Sequence, residues 1–146
     1  MLDIGCGMGY FSIPLARKVG PGGTVVCVDL QRQMLDASRS RALRAGVAGN
    51  MRFHQCTVND LGLDLAADFA LAFWMVHEVG DQRRFFSQVR GALKTGGKLL
   101  VVEPRLHVSR KSFDISLSLA LELGFELLES PEVPLSIAAL LGNSRA

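Results

Sequence analysis

Short, nearly continuous apolar runs alternate along the chain with longer stretches in which apolar positions recur every three or four residues. The first pattern suits strands buried on both faces, and the second suits helices with one covered stripe. Strands are predicted at Leu2–Ile4, at the run Thr24-Val25-Val26-Cys27-Val28 closing on Asp29, and at 51–56, 69–74 and 98–103. Helices are predicted over 10–19, over 31–45, behind Asp81, and over 109–123. Pro14 fits only near the first turn of its helix. Met34, Leu35, Ser38, Ala42 and Leu43 mark the covered side of the second helix, with Gly46 as its C-cap. Asp81 caps a helix carrying Phe85, Phe86, Val89 and Leu93. Phe113, Leu117, Ala120 and Leu121 face inward on the last helix. Phe125–Glu129 and 135–141 are expected to close the sheet as an antiparallel pair. Pro21-Gly22-Gly23 is a turn, and there are no repeats or linkers. Strand–helix alternation of this kind builds an α/β domain, a mostly parallel sheet with helices on both faces, expected to be one domain over 1–146.

Composition narrows the function more than the fold. At 146 residues, 49% hydrophobic and 21% charged, the chain can bury about 70% of its unfolded surface. Its apolar runs fall well short of the about 20 residues that span a bilayer. No charged start followed by an apolar run and cleavage site opens it, so a cytoplasmic protein without membrane contact is expected. A net charge of +2 and no basic cluster argue against nucleic acid. Arg32, Arg39, Arg41 and Arg44 gather on one predicted helix, where a solvated face is the simpler reading. Three cysteines, an odd number in or beside strands, are expected as reduced thiols. No Cys/His spacing suits a metal.

The chemistry concentrates in Asp3-Ile4-Gly5-Cys6-Gly7-Met8-Gly9 and in Asp29, which ends the next strand. A strand delivers the chain to a glycine turn that opens a helix, and glycines let backbone approach a ligand where a Cβ would clash. An acid ending the neighbouring strand can accept hydrogen bonds from two ribose hydroxyls. A dinucleotide loop would place its third glycine at position 10, which is Tyr10. An acid such as Asp3 suits a cationic ligand, directly or through water, and not a pyrophosphate, which needs N–H donors. S-adenosylmethionine carries an ammonium, a carboxylate and a sulfonium. With these residues the chain resembles the class I S-adenosylmethionine-dependent methyltransferases. Asp68-Phe69-Ala70-Leu71-Ala72-Phe73-Trp74 is similar to their fourth strand, and Met75-Val76-His77-Glu78-Val79 to the segment after it. The run from Ala92 through Gly96-Gly97 to Glu103-Pro104 resembles their glycine turn and fifth strand, with Thr95 where many members have Pro.

The resemblance implies a Rossmann-like sheet of seven strands, mostly parallel, ordered 3-2-1-4-5-7-6 with the last strand antiparallel. It implies S-adenosyl-L-methionine as cofactor. Asp3, Gly5, Cys6, Gly7 and Gly9 are expected around its methionine part, Asp29 on the ribose and Leu30 against adenine. Thr57 and Val58 are expected near the base, although relatives often place an acid there and Asn59 and Asp60 come slightly late. Phe73 and Trp74 complete the expected cofactor residues. Methyl transfer is an in-line displacement in which alignment supplies much of the acceleration, so a base matters only if the acceptor must lose a proton. His77 is the candidate catalytic residue, with Glu78, Glu103 and His107 behind it. The plainer roles are a loop contact for His77, a solvated Glu78 and a Glu103 that braces backbone. The Asn/Asp-Pro-Pro-Tyr/Phe motif and a Pro-Cys nucleophile are both absent, which leaves a small-molecule acceptor.

Met1-Leu2 gives the first strand almost no lead-in, whereas family members carry helices before it that cover the cofactor. A shortened chain is therefore expected, with a wetter cofactor cleft and exposed apolar surface that would suit a homodimer. A methyltransferase-like domain that holds the cofactor but is inactive alone is the alternative. A nicotinamide oxidoreductase is disfavoured by Tyr10, Asp3 and the lack of a Tyr-x-x-x-Lys pair.

Overall fold

A computed structural model describes residues 1–144. Among the described residues seven strands form one sheet in the order β3-β2-β1-β4-β5-β7-β6, the Rossmann-like methyltransferase arrangement. The chain divides into two compact units, Met1–Val58 and Asn59–Ala146.

The first unit runs β1 (Leu2–Ile4), α1 (Ser12–Val19), β2 (Val25–Asp29), α2 (Arg32–Arg44) and β3 (Met51–Gln55). All its strand pairs are parallel, with Ile4 beside Val28 and Asp29 beside Gln55. Cys6, Ala16, Val25, Cys27, Leu35, Ala42 and Met51 form its buried core, with Ile13, Val19 and Phe53 packed on the edges. Asn50 donates its side-chain amide to the carbonyls of Ala16 at 2.7 Å and Gly20 at 3.0 Å, closing the end of α1. The end of α2 is the capped turn expected of Gly46. Val47 N–H bonds Ala42 O at 3.0 Å and Gly46 N–H bonds Leu43 O at 3.1 Å, with Gly46 in the left-handed region. Two expectations are corrected here. Helix α1 starts at Ser12 and not at residue 10, because 8–11 are spent on the turn out of the glycine loop. Leu43 is exposed, since Leu35, Ser38 and Ala42 define the covered arc of α2 and the next residue turns about 100° away from it.

The second unit runs β4 (Ala67–Phe73), α3 (Gln82–Gly91), β5 (Leu93–Pro104), α4 (Arg110–Glu122), β6 (Phe125–Glu129) and β7 (Ser136–Asn143). Strand β4 is parallel to β5, and β7 runs antiparallel between β5 and β6. Phe85, Phe86, Val89, Phe113 and Phe125 are buried on its helical side, with Phe86 edge-on to Phe85 and Phe125. Asp81 caps α3 by accepting Arg84 N–H at 2.9 Å, and Ser109 caps α4 by accepting Ser112 N–H at 3.1 Å. Leu93 belongs to β5 and not to α3, because it pairs with Ala67 and so carries the strand back across the glycine turn. Strand β4 starts earlier than expected and stops at Phe73. Leu121 is half exposed, lying one residue past the covered arc of Phe113 and Ala120. Buried Asn143 donates its amide to the carbonyls of Arg90, Leu93 and Lys94 at 3.1–3.2 Å. It ties the last strand to the passage from α3 into β5.

Candidate functional site

In the first unit β1 ends at Ile4 and the chain folds back, so that Gly5 N–H and Cys6 N–H both bond Val28 O at 2.8 and 3.1 Å. The glycines at 5, 7 and 9 all have positive φ, of 71°, 52° and 81°. Two of them serve different ends. A Cβ on Gly9 would run into Ser38 Oγ on α2, so this residue permits the close approach of loop to helix. Gly7 has open space around it. It is needed for its backbone shape, and for an N–H that bonds Asp29 Oδ2 at 2.9 Å.

Asp29 is thus more than a ligand-facing acid. Its Oδ1 accepts Gln31 N–H at 2.9 Å, so each carboxylate oxygen holds one backbone donor. A carboxylate offers about four acceptor sites, so two remain for hydroxyl donors. Gln55 donates to Leu30 O at 3.0 Å, and Cys56 N–H to Asp29 O at 3.1 Å, which holds the segment after Asp29 against the end of β3. Leu30 is left half exposed, and Thr57 and Val58 are exposed. Arg41 donates to Met8 O at 3.3 Å, so one of the arginines assigned to a solvated face ties down the glycine loop.

Asp3 and Cys6 lie beneath this surface. Asp3 is 2% exposed and accepts the Ser12 hydroxyl. Burial pushes its carboxyl up to about 6; the Ser12 bond works the other way, and the Asp29 charge adds to the rise. The Cys6 side chain packs into the core beside Cys27. Its thiol is held protonated first by the hydrogen bond to Cys27 and then by burial. All three cysteines are free.

The second unit gathers its chemistry around Glu103 near the end of β5. Glu103 is buried, and its Oε1 accepts Val76 N–H at 3.0 Å. Its Oε2 accepts His77 N–H at 3.0 Å and lies 2.6 Å from His77 Nδ1. The carboxylate therefore braces the turn 76–78 and also grips the imidazole. The His107 ring lies roughly parallel to that of His77, 6.2 Å between centroids. Trp74 leaves β4 with φ 57°, an unusual conformation for a bulky residue. Its N–H bonds Val102 O at 2.7 Å and its indole donates to Ser136 Oγ at 3.0 Å. The Phe73 ring stands 5.3 Å from it. Ser136, Gln55 and Arg41 had no motif to mark them in the sequence. Among the described residues no group of three acidic, His or Cys side chains suits a metal ion, and no helix is long and apolar enough to cross a membrane.

A family model described as a methyltransferase domain matches residues 1–126. The ubiquinone/menaquinone biosynthesis C-methyltransferase UbiE of Cellvibrio japonicus is 34% identical over 118 residues, covering 78% of this chain and 47% of the relative. The same enzyme of Haemophilus ducreyi is 33% identical over 104 residues, covering 70% of this chain and 40% of the relative. The chain spans about half the length of the curated relatives it matches. Among solved structures, an S-adenosylmethionine-dependent methyltransferase of Aquifex aeolicus superposes with TM-score 0.85 at 20% identity, covering 97% of this chain and 80% of that one. The [4+2]-cyclase SpnF superposes with TM-score 0.77 at 22% identity over 90% of this chain and 53% of its own. These two likenesses establish the fold.

Proposed function

This chain belongs to the class I S-adenosylmethionine-dependent methyltransferase family, and we propose that it transfers a methyl group from S-adenosyl-L-methionine to a small-molecule acceptor. The observation that carries the reading is the glycine loop tied by Gly7 N–H to the carboxylate of Asp29. A loop of positive-φ glycines beside an acid with two acceptor sites to spare fits a ribose-bearing ligand whose other end is a small zwitterion. When bound, the cofactor supplies a methyl group already activated by its sulfonium.

The chain's own residues bind and orient. Backbone of Gly5, Gly7 and Gly9 receives the methionine end, and Asp29 accepts the ribose hydroxyls. Leu30 covers one face of adenine, with Thr57 and Val58 at its edge, while Phe73 and Trp74 border the methionine end. Asp3 and Cys6 act from below, Asp3 as a buried acid that favours a cation above the loop, Cys6 as packing that sets the loop's height. His77 belongs to the acceptor side. The printed names of the relatives support a small organic acceptor, and three free thiols support a reducing, cytoplasmic setting.

Calorimetric titration with S-adenosylmethionine and S-adenosylhomocysteine tests the reading, with NAD as control and Asp29→Ala beside the parent. Micromolar binding of the first two, weakened in the variant, is the expected result. Binding of NAD alone would overturn it. Binding without S-adenosylhomocysteine formation across a broad acceptor panel would favour a domain that holds the cofactor but is inactive alone.

A further inference from the structure

We propose that Glu103 is a positioning residue that fixes His77 as general base, and that the acceptor is one that surrenders an O–H proton, a phenol or an enol. The inference rests on the methyl-transfer reading above and deepens it.

Glu103 makes more contacts than a brace requires. Burying a carboxylate is costly unless its lone pairs are satisfied. The N–H groups of Val76 and His77 already provide one donor for each oxygen. The third bond goes to an imidazole whose side chain is 27% exposed, while that of Glu103 is 3% exposed. A buried anion thus reaches the surface through one ring. Because an ionised carboxylate only accepts, the 2.6 Å contact places a hydrogen on Nδ1. In the neutral ring Nε2 then carries the free lone pair and is the nitrogen left to meet a ligand. The same carboxylate stabilises the ring after it takes up a proton. The titratable groups the structure places beside His77 are Glu103 on β5, Glu78 in the same turn and His107 in the turn after β5.

The pairing selects among acceptors. A tertiary amine or thioether has a lone pair and no proton to lose, so a base adds nothing. A phenol, ionising near 10, is almost wholly protonated at pH 7 and gains most from one. As the acceptor oxygen or its conjugated carbon bonds the methyl, the S–CH3 electron pair returns to sulfur and leaves a neutral thioether. The O–H proton passes to His77 Nε2, the imidazolium pairs with the Glu103 carboxylate, and water later removes the proton.

Two arms test this on the full chain. In the first, nitrogen-15 NMR of the protein without ligand should find His77 as the Nδ1–H tautomer, and Glu103→Gln should abolish that fixed state. In the second, calorimetry first establishes cofactor binding. Then S-adenosylhomocysteine formation with catechol is followed against pH. His77→Asn keeps a donor for Glu103 but lacks Nε2, so it should remain folded and lose about 100-fold in rate at pH 7. Its remaining rate should climb with pH until catechol ionises unaided. Glu103→Gln should lose about 10-fold or more and shift the same profile. An Nε2–H tautomer in the parent, or an unchanged profile in folded His77→Asn, overturns the role of the pair. Catechol left untouched by cofactor-loaded protein overturns the acceptor class. Absence of cofactor binding removes the methyl-transfer reading, and this proposal with it.

Discussion

The carboxylate of Asp29 holds Gly7 N–H at 2.9 Å across the mouth of the glycine turn, so the acid that ends β2 fixes the shape of the loop that follows β1. The same Asp29 is the proposed ribose acceptor, and its two tasks are coupled. Asp29→Ala should weaken S-adenosylhomocysteine binding by about 10–100-fold, the loss of one or two hydrogen bonds to a charged group. It should also loosen the loop in the ligand-free protein, seen as faster amide exchange at Gly7. Weaker binding with unchanged Gly7 exchange would separate the two tasks.

Asp3 gives a pH dependence whose sign can be worked out. Its carboxyl rises from 3.8 for an ordinary Asp to about 6 in the fold, chiefly through burial. The native state therefore binds a proton more tightly than the unfolded chain. Stability contributed by this residue is intact below about pH 4, falls between about 4 and 6, and is lost above. The gap amounts to about 3 kcal/mol, an order-of-magnitude figure. Asp3→Asn should accordingly be more stable than the parent at pH 7.5, with the advantage vanishing by pH 4, in urea melts at both values. The same variant should bind the cofactor less well. An advantage that grows at low pH would refute the assignment.

Gly9 and Ser38 form a coupled pair. Gly9→Ala meets Ser38 Oγ and carries a Cβ at φ 81°. A cost of about 2–4 kcal/mol in a denaturant melt is expected, from the backbone conformation and the overlap together. Ser38→Ala in the same chain should recover only the overlap, because the backbone penalty stays. Full recovery would show that the left-handed conformation costs nothing here.

Asn143→Ala should cost about 2–4 kcal/mol, because three carbonyls of the α3–β5 passage lose their donor while buried. Cofactor affinity of the folded fraction should be unchanged, since these contacts all lie in the second unit. A calorimetric Kd matching the parent, beside a lowered Tm, is the expected pair of results.

Much of the fold was legible in the sequence because the strand and helix periods differ and the caps are chemically distinct. Asp81, Ser109 and Gly46 each stand where the sequence places them. Boundaries were missed where tertiary pairing overrides local pattern. Leu93 reads as the last inward residue of a helix, yet its pairing with Ala67 makes it a strand residue. Leu43 and Leu121 are apolar but sit one residue past the covered arc, which a four-residue spacing cannot distinguish. At the site, residue types at fixed spacing pointed to Asp3, Asp29 and the glycines. Arg41, Gln55 and Ser136 act through single hydrogen bonds to partners distant in sequence, and no spacing rule reports such contacts. The depth of Asp3 and Cys6 was equally hidden, because a motif names its members without saying which side of the loop they occupy.

The place of β7 in its sheet constrains how the protein can be made. Residues 136–143 are among the last to leave a ribosome, yet they lie between β5 and β6 and pair with both. Until they emerge, β6 has no neighbour to join, and β5 presents an open, largely apolar edge to the cell. Synthesis that stalls before residue 136 would therefore release an aggregation-prone intermediate rather than a smaller folded protein. The second unit must wait for its end before it can close.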